Sequence, residues 1–245
     1  MFKPGDAEAY LNSGFVHANS GEFDSAIAEF TEAIRLKPDF ADAYFNRGLA
    51  YAAKSDFDEA IVDYTEAIRL QPDDVLAYIN RGIAHLMTND FDEAIADCTE
   101  AIRLQPDEAE AYFDRGVGYA KNNNFDKAIA DYTDAIRLTP DFSKAYFNRG
   151  YVYTDKGDFD KAIADFTDVI RLEPDDAEAY LNRGIAYTLT DDFDKAIADC
   201  TEAIRLNPRD ADAYYTRGLA YAKKNDFDKA NMDHDRAMQL GHAPW

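Results

Sequence analysis

Seven tyrosines, Tyr10, Tyr44, Tyr78, Tyr112, Tyr146, Tyr180 and Tyr214, follow one another at intervals of 34 residues with no insertion or deletion. A strict period of this length means that one small unit is copied down the chain, each copy burying its apolar face against the next. The period defines seven units, 7–40, 41–74, 75–108, 109–142, 143–176, 177–210 and 211–244, after a lead-in over 1–6. No stretch rich in glycine or serine interrupts them, so no linker or domain boundary is expected.

Each unit reads as two amphipathic helices. In the first, Tyr10, Gly14 and His17 share a face, the turn Ser20-Gly21-Glu22 follows, and Phe23, Ala26, Ile27, Phe30, Ala33 and Ile34 take up the same spacing again. Asp56, Asp90, Asp158, Asp192 and Asp226 stand just before the second helix, where a carboxylate is expected to cap free amides. Pro38, Pro72, Pro106, Pro140, Pro174 and Pro208 stand just after it and end it.

This pattern resembles the tetratricopeptide repeat family. In the second unit the family's positions are met by Tyr44, Gly48, Tyr51, Ala60, Tyr64, Ala67 and Pro72. One departure is systematic: the family's usual leucine before the glycine is replaced by Arg47, Arg81, Arg115, Arg149, Arg183 and Arg217, giving an Asn-Arg-Gly variant similar to tandem arrays of prokaryotic proteins. The resemblance implies an all-α fold, a right-handed superhelical solenoid of seven helix-turn-helix units whose first helices line a concave groove. The arginines turn toward neighbouring helices on a helical wheel, and Asp63, Asp97, Asp131, Asp165 and Asp199 are their expected partners.

A longer period of 102 residues relates Cys98 to Cys200 and YAKNNNFDKA from Tyr119 to YAKKNDFDKA from Tyr221, as duplication of a three-unit block would. The last unit carries Asn231, His234 and Gly241 in place of isoleucine, an aromatic or cysteine, and proline, as suits a helix that no further unit covers, and Trp245 reads as close to a natural end.

Chemistry is sparse. Cys98 and Cys200 occupy the place of Phe30, Tyr64, Tyr132 and Phe166, so they read as core, too far apart for a disulfide. His17 and His85 replace tyrosines at a packing position, and with His234 and His242 they form no metal-binding spacing. The Asp-Phe-Asp triplets beginning at Asp56, Asp90, Asp158 and Asp192 lack the glycine of a calcium loop. Arg35, Arg69, Arg103, Arg137, Arg171 and Arg205 follow an acid by three residues and read as solvated pairs. Neither a catalytic constellation nor a cofactor motif is present, so no enzyme and no cofactor are expected.

The formal charge of -22, from 26 basic and 48 acidic residues, repels nucleic acid and anionic membranes and favours basic partners. No apolar run approaches the ~20 residues of a membrane span and no signal segment leads the chain, so a cytoplasmic location is expected, with a periplasmic or secreted one open if a signal was removed.

The first helices carry a second apolar stripe, Leu11 and Phe15, Phe45 and Leu49, Ile79 and Ile83, Phe113 and Val117, Phe147 and Tyr151, Leu181 and Ile185, Tyr215 and Leu219. Beside it run Asn12, Asn46, Asn80, Asp114, Asn148, Asn182 and Thr216. A carboxamide both donates and accepts, so such a row can bond the backbone of an extended peptide without reading its side chains, similar to the asparagine ladders of superhelical family members. It can equally bond a neighbouring backbone group of its own helix. The family's clamp for a C-terminal carboxylate is not expected, because Phe45 and Leu49 and their equivalents stand where it needs lysine and asparagine. Glu8, Asp42, Glu110, Glu178 and Asp212 edge the groove, opposed by Lys144. The reading is a non-catalytic scaffold holding an extended, neutral to basic segment of another protein; the alternative is a self-associating solenoid whose groove or ends are filled by another copy.

Overall fold

The computed structural model describes residues 6–242. Fourteen helices follow one another: α1 (Ala7–Asn19), α2 (Phe23–Leu36), α3 (Ala41–Ala53), α4 (Phe57–Leu70), α5 (Val75–Thr88), α6 (Phe91–Leu104), α7 (Ala109–Lys121), α8 (Phe125–Leu138), α9 (Ser143–Lys156), α10 (Phe159–Leu172), α11 (Ala177–Leu189), α12 (Phe193–Leu206), α13 (Ala211–Lys223) and α14 (Phe227–Gln239). No strand occurs among the described residues. The ends of the expected lead-in and last unit, with Pro244 and Trp245, lie outside them.

The chain divides inside α8 into two compact bodies, Met1–Asp131 and Tyr132–Trp245. The sequence holds no linker there, and the division falls within a helix. In the first body every helix packs on its successor from α1 to α7, and α1, α3, α5 and α7 also touch in series. The second body repeats this from α9 to α14, with α9, α11 and α13 touching in series. Among the described residues no comparable contact joins α2 to α4, α4 to α6, α10 to α12 or α12 to α14. Within each body the first helices of the hairpins therefore lie closer together than the second helices, on the inner side.

Each hairpin closes on one left-handed residue, at Gly21, Ser55, Asn89, Asn123, Gly157, Asp191 and Asn225, with φ between 57° and 79°. The amide of the next residue bonds the carbonyl five positions back, as Asp56 to Tyr51 at 3.0 Å and Asp90 to His85 at 2.8 Å. Most of the expected caps do not form. Asp56, Asp90, Asp158 and Asp192 have ψ between 60° and 67° rather than an extended backbone, and their side chains make no cap bond. The turn sets nearly the same torsion at Asp226, ψ 70°, so the side-chain rotamer and not the backbone decides which carboxylate caps. Asp226 does cap, accepting from the amide of Lys229. The true caps open first helices, where Asp6, Asp74, Asp176 and Asp210 are extended and accept from amides two or three residues on. The prolines act as expected: the residue before Pro72 has φ -131° and ψ 86°, outside the helical region that the following ring disfavours, and α4 ends there.

In three hairpins a large side chain of the second helix, Phe30, Tyr64 or Phe166, lodges against a glycine of the first, Gly14, Gly48 or Gly150. Tyr64 is fully buried, and a methyl group on Gly48 would stand 2.8 Å from its ring, so only glycine fits. Cys98 and Cys200 fill this place in their hairpins, fully buried with free thiols. Burial pushes both thiols up, Cys200 to about 12.

Candidate functional site

Within the Asn-Arg-Gly segment the two polar side chains go opposite ways. Arg47 turns inward: Nε donates to Asp63 Oδ2 and Nη2 to Asp63 Oδ1, both at 2.7 Å, while Nη1 donates to Thr31 Oγ1 in the preceding hairpin at 3.0 Å. One guanidinium thus ties three helices, α2, α3 and α4. The set recurs as Arg81–Asp97–Thr65, Arg115–Asp131–Thr99, Arg149–Asp165–Thr133, Arg183–Asp199–Thr167 and Arg217–Asp233–Thr201. The expected partners are all found, and Asp233, which the sequence reading missed, completes the series at the same 16-residue separation. The Asp63 hydrogen bond raises the Arg47 guanidinium. Burial pushes the Asp63 and Asp165 carboxyls up against the pull of their arginines. The exposed arginines also behave as read, with Arg35 on Glu32 and Arg69 on Glu66.

The asparagines face outward but are not idle. Nδ2 of Asn46, Asn80, Asn148 and Asn182 donates to the carbonyl four residues back, that of Asp42, Leu76, Lys144 and Glu178, at 2.7 to 3.1 Å. The local bond weighed from sequence is therefore present at these four. The four side chains are half-buried, and their Oδ1 atoms have no hydrogen-bond partner among the described residues. Asn12 is exposed, whereas Asp114 and Thr216 in the same row are buried.

The apolar stripe resolves into two rows. Leu11, Ile79 and Leu181 are buried, Ile79 to 4% exposure, so these three belong to the core and not to an open face. Phe45 and Phe147 are half-buried because their rings lean on Tyr64 and Phe166, with centroids 5.8 and 5.6 Å apart. Phe113 and Tyr215 are also half-buried. The row four residues on is the open one: Phe15, Leu49, Ile83 and Tyr151 are exposed, Tyr151 to 53%, while Val117, Ile185 and Leu219 are half-buried. Sequence reasoning missed Leu76 and Met87 on the same face, both 57% exposed. For Leu76 the signal was a hydrophobic residue where every sister unit carries a charge; the position of Met87 varies between units and gave none.

The histidines stay apart. His17 Nδ1 lies 2.6 Å from Glu22, and His85 lies 3.8 Å from Asp90 and 3.9 Å from Asp97. Among the described residues no group of three His, Cys, Asp or Glu side chains could hold a metal ion, and no helix is long and apolar enough to cross a membrane.

Hairpins stacked through a repeated arginine tie, with an inner face of exposed apolar and amide side chains, define a helical repeat protein. Tetratricopeptide repeat models match residues 41–74, 75–108, 113–164, 177–210 and 200–230, and a TPR repeat model matches 18–55 and 150–191. The chain belongs to the tetratricopeptide repeat family. Its structure is similar to a tetratricopeptide repeat protein of Parabacteroides merdae ATCC 43184, with a TM-score of 0.73 at 20% identity over 96% of this chain and 93% of that one. It is also similar to MamA of Desulfovibrio magneticus RS-1, with a TM-score of 0.67 at 22% identity over 72% of this chain and 99% of that one. A third likeness is to YrrB, described as a TPR protein with an unusual peptide-binding site, with a TM-score of 0.63 at 23% identity over 80% of this chain and 97% of that one. At these identities the likeness is one of fold. No curated protein matches the sequence.

Proposed function

We propose that this Asn-Arg-Gly array is a non-catalytic scaffold that holds an extended, neutral to basic segment of another protein along the inner face of its first helices. The observation that carries the reading is the state of the asparagines. A back-bonded carboxamide has already lost its rotamer freedom, so its unpartnered oxygen can accept a peptide N–H without a further ordering cost. Asn46 and Asn80 offer this in the first body, and Asn148 and Asn182 in the second. Beside them Leu49, Ile83 and Tyr151 expose apolar surface that a guest chain would cover. The exposed acids Asp42, Glu110, Glu178 and Asp212 favour a basic guest. YrrB, a protein of like fold, has a peptide-binding site. The test is selection of random peptides on the protein and on an Asn80→Ala, Asn148→Ala, Asn182→Ala variant. Selected peptides are expected to be rich in lysine and arginine and to bind the variant at least about tenfold more weakly. Equal affinity for both proteins removes the ladder.

A second reading, self-association through the ends, rests on a different observation. Val16 is 66% exposed and Phe227 59%, while the residues equivalent to Val16 in later hairpins, such as Ala50 and Ala84, are buried by a neighbouring hairpin. Light scattering against concentration separates the readings, since a peptide receptor stays monomeric when free.

A further inference from the structure

One helix of the inner face departs from its neighbours. On α5, Leu76, Asn80, Ile83 and Met87 fall at i, i+4, i+7 and i+11, within an arc of about 60° at 100° per residue. Leu76 and Met87 are 57% exposed and Ile83 37%, so the stripe is open along three turns of helix. On α3 and α7, which touch α5 on either side, the place of Leu76 is taken by Asp42 and Glu110, both exposed. An apolar strip thus lies between two carboxylates, all within the first body.

We infer that this strip is the anchor site for one large apolar residue of the guest, and that the carboxylates on its two sides select a lysine or arginine before and after it. The inference rests on the proposed peptide-binding reading and adds the guest's sequence pattern. Neighbouring packed helices lie about 8–10 Å apart, and an extended chain rises about 3.3 Å per residue, so the flanking bases stand about three residues from the anchor. The pattern is basic, two residues, apolar, two residues, basic. Charge also argues against a second copy here, because each copy would bring its own Asp42 and Glu110 to a surface already rimmed by the same acids, on a chain of charge -22.

Two capped synthetic peptides of about eleven residues test this, alike in carrying lysines three residues to each side of the centre and serine elsewhere, one with leucine at the centre and one with serine. By fluorescence anisotropy the leucine peptide is expected to bind the full chain about tenfold more tightly. A Leu76→Asp variant, which gives α5 the acid its neighbours have, is expected to shrink that preference below about threefold while still binding both peptides through their lysines. Leu76 is exposed, so unchanged circular dichroism is expected of the variant. If the wild type binds both peptides equally, the anchor is refuted and the peptide-binding reading stands. A preference that survives Leu76→Asp places the anchor elsewhere and also refutes it. If neither peptide binds, the inference fails; if random selection also yields no ligand, the broader reading fails with it. A dimer that Leu76→Asp dissolves shows that a second copy covers the strip, which overturns the inference too.

Discussion

Replacing Arg149 by leucine isolates the energetic worth of the repeated tie. Arg149 donates to both oxygens of Asp165, at 2.8 and 2.7 Å, and to Thr133 Oγ1 at 2.9 Å. The side chain of Asp165 is only 5% exposed, so the substitution strands a carboxylate away from water. Breaking a buried pair on one side costs about 3–5 kcal/mol. Proton uptake sets an independent ceiling: a carboxyl with an unfolded pKa of about 3.9 escapes its charge at pH 7 for about 4 kcal/mol. The two figures agree, and the ceiling makes the effect pH-dependent. Burial already pushes the Asp165 carboxyl up with the arginine present, and losing the arginine pushes it further. A raised folded value means that the folded state holds its proton more tightly than the unfolded state. The penalty therefore shrinks as pH falls toward the unfolded value, to a ceiling of about 1.5 kcal/mol at pH 5. Repeat arrays need not unfold in one step, so amide hydrogen exchange of α8, α9 and α10 at pH 7 and pH 5, corrected for intrinsic rates, is the suitable readout. Arg149→Leu with Asp165→Leu is expected to recover most of the loss, because it removes the stranded charge. A single variant that loses less than about 1 kcal/mol at both pH values, or a double variant no more stable than the single, refutes the reasoning.

The helix caps and the buried thiols can be tested in the same way. Asp74→Ala is expected to cost about 1 kcal/mol because it deletes a cap bond to the Ala77 amide at 3.1 Å, whereas Asp56→Ala, which deletes no cap bond, costs less than about 0.5 kcal/mol in urea unfolding. Alkaline pH should weaken the fold through the buried thiols: Cys98 and Cys200 are raised in the folded state, so only the unfolded chain ionises above its own value of about 8.5 and stability falls as pH rises. Between pH 8 and 9.5 the two together contribute a loss of about 2.5 kcal/mol, and Cys98→Ala with Cys200→Ala should flatten that slope in urea unfolding curves.

The fold was legible because its signals are redundant. Seven tyrosines in phase, a proline after each of six second helices and small residues facing Tyr64 and its equivalents all state the same hairpin. The arginine tie was legible as well, since a guanidinium on an inward-turning face needs a carboxylate. The caps misled because residue type does not fix the side-chain rotamer: Asp56 and Asp226 share nearly one backbone, at ψ 67° and 70°, and only Asp226 caps. The split of the apolar stripe was missed although the residue types carry it: its first position is buried where aliphatic, at Leu11, Ile79 and Leu181, and half-buried where aromatic, as at Phe45 and Phe147, whose rings lean on Tyr64 and Phe166. The back-bonding of the asparagines, by contrast, depends on a side-chain torsion that residue type does not specify.

The bond from Arg47 to Thr31 has the same partners and spacing as that from Arg183 to Thr167. A recombination event that deletes or inserts whole 34-residue blocks between such sites rebuilds an identical seam, with no new complementarity to evolve. Copy number is thereby freed from stability at the joint, and the length of the array becomes a trait that can grow or shrink in single genetic steps.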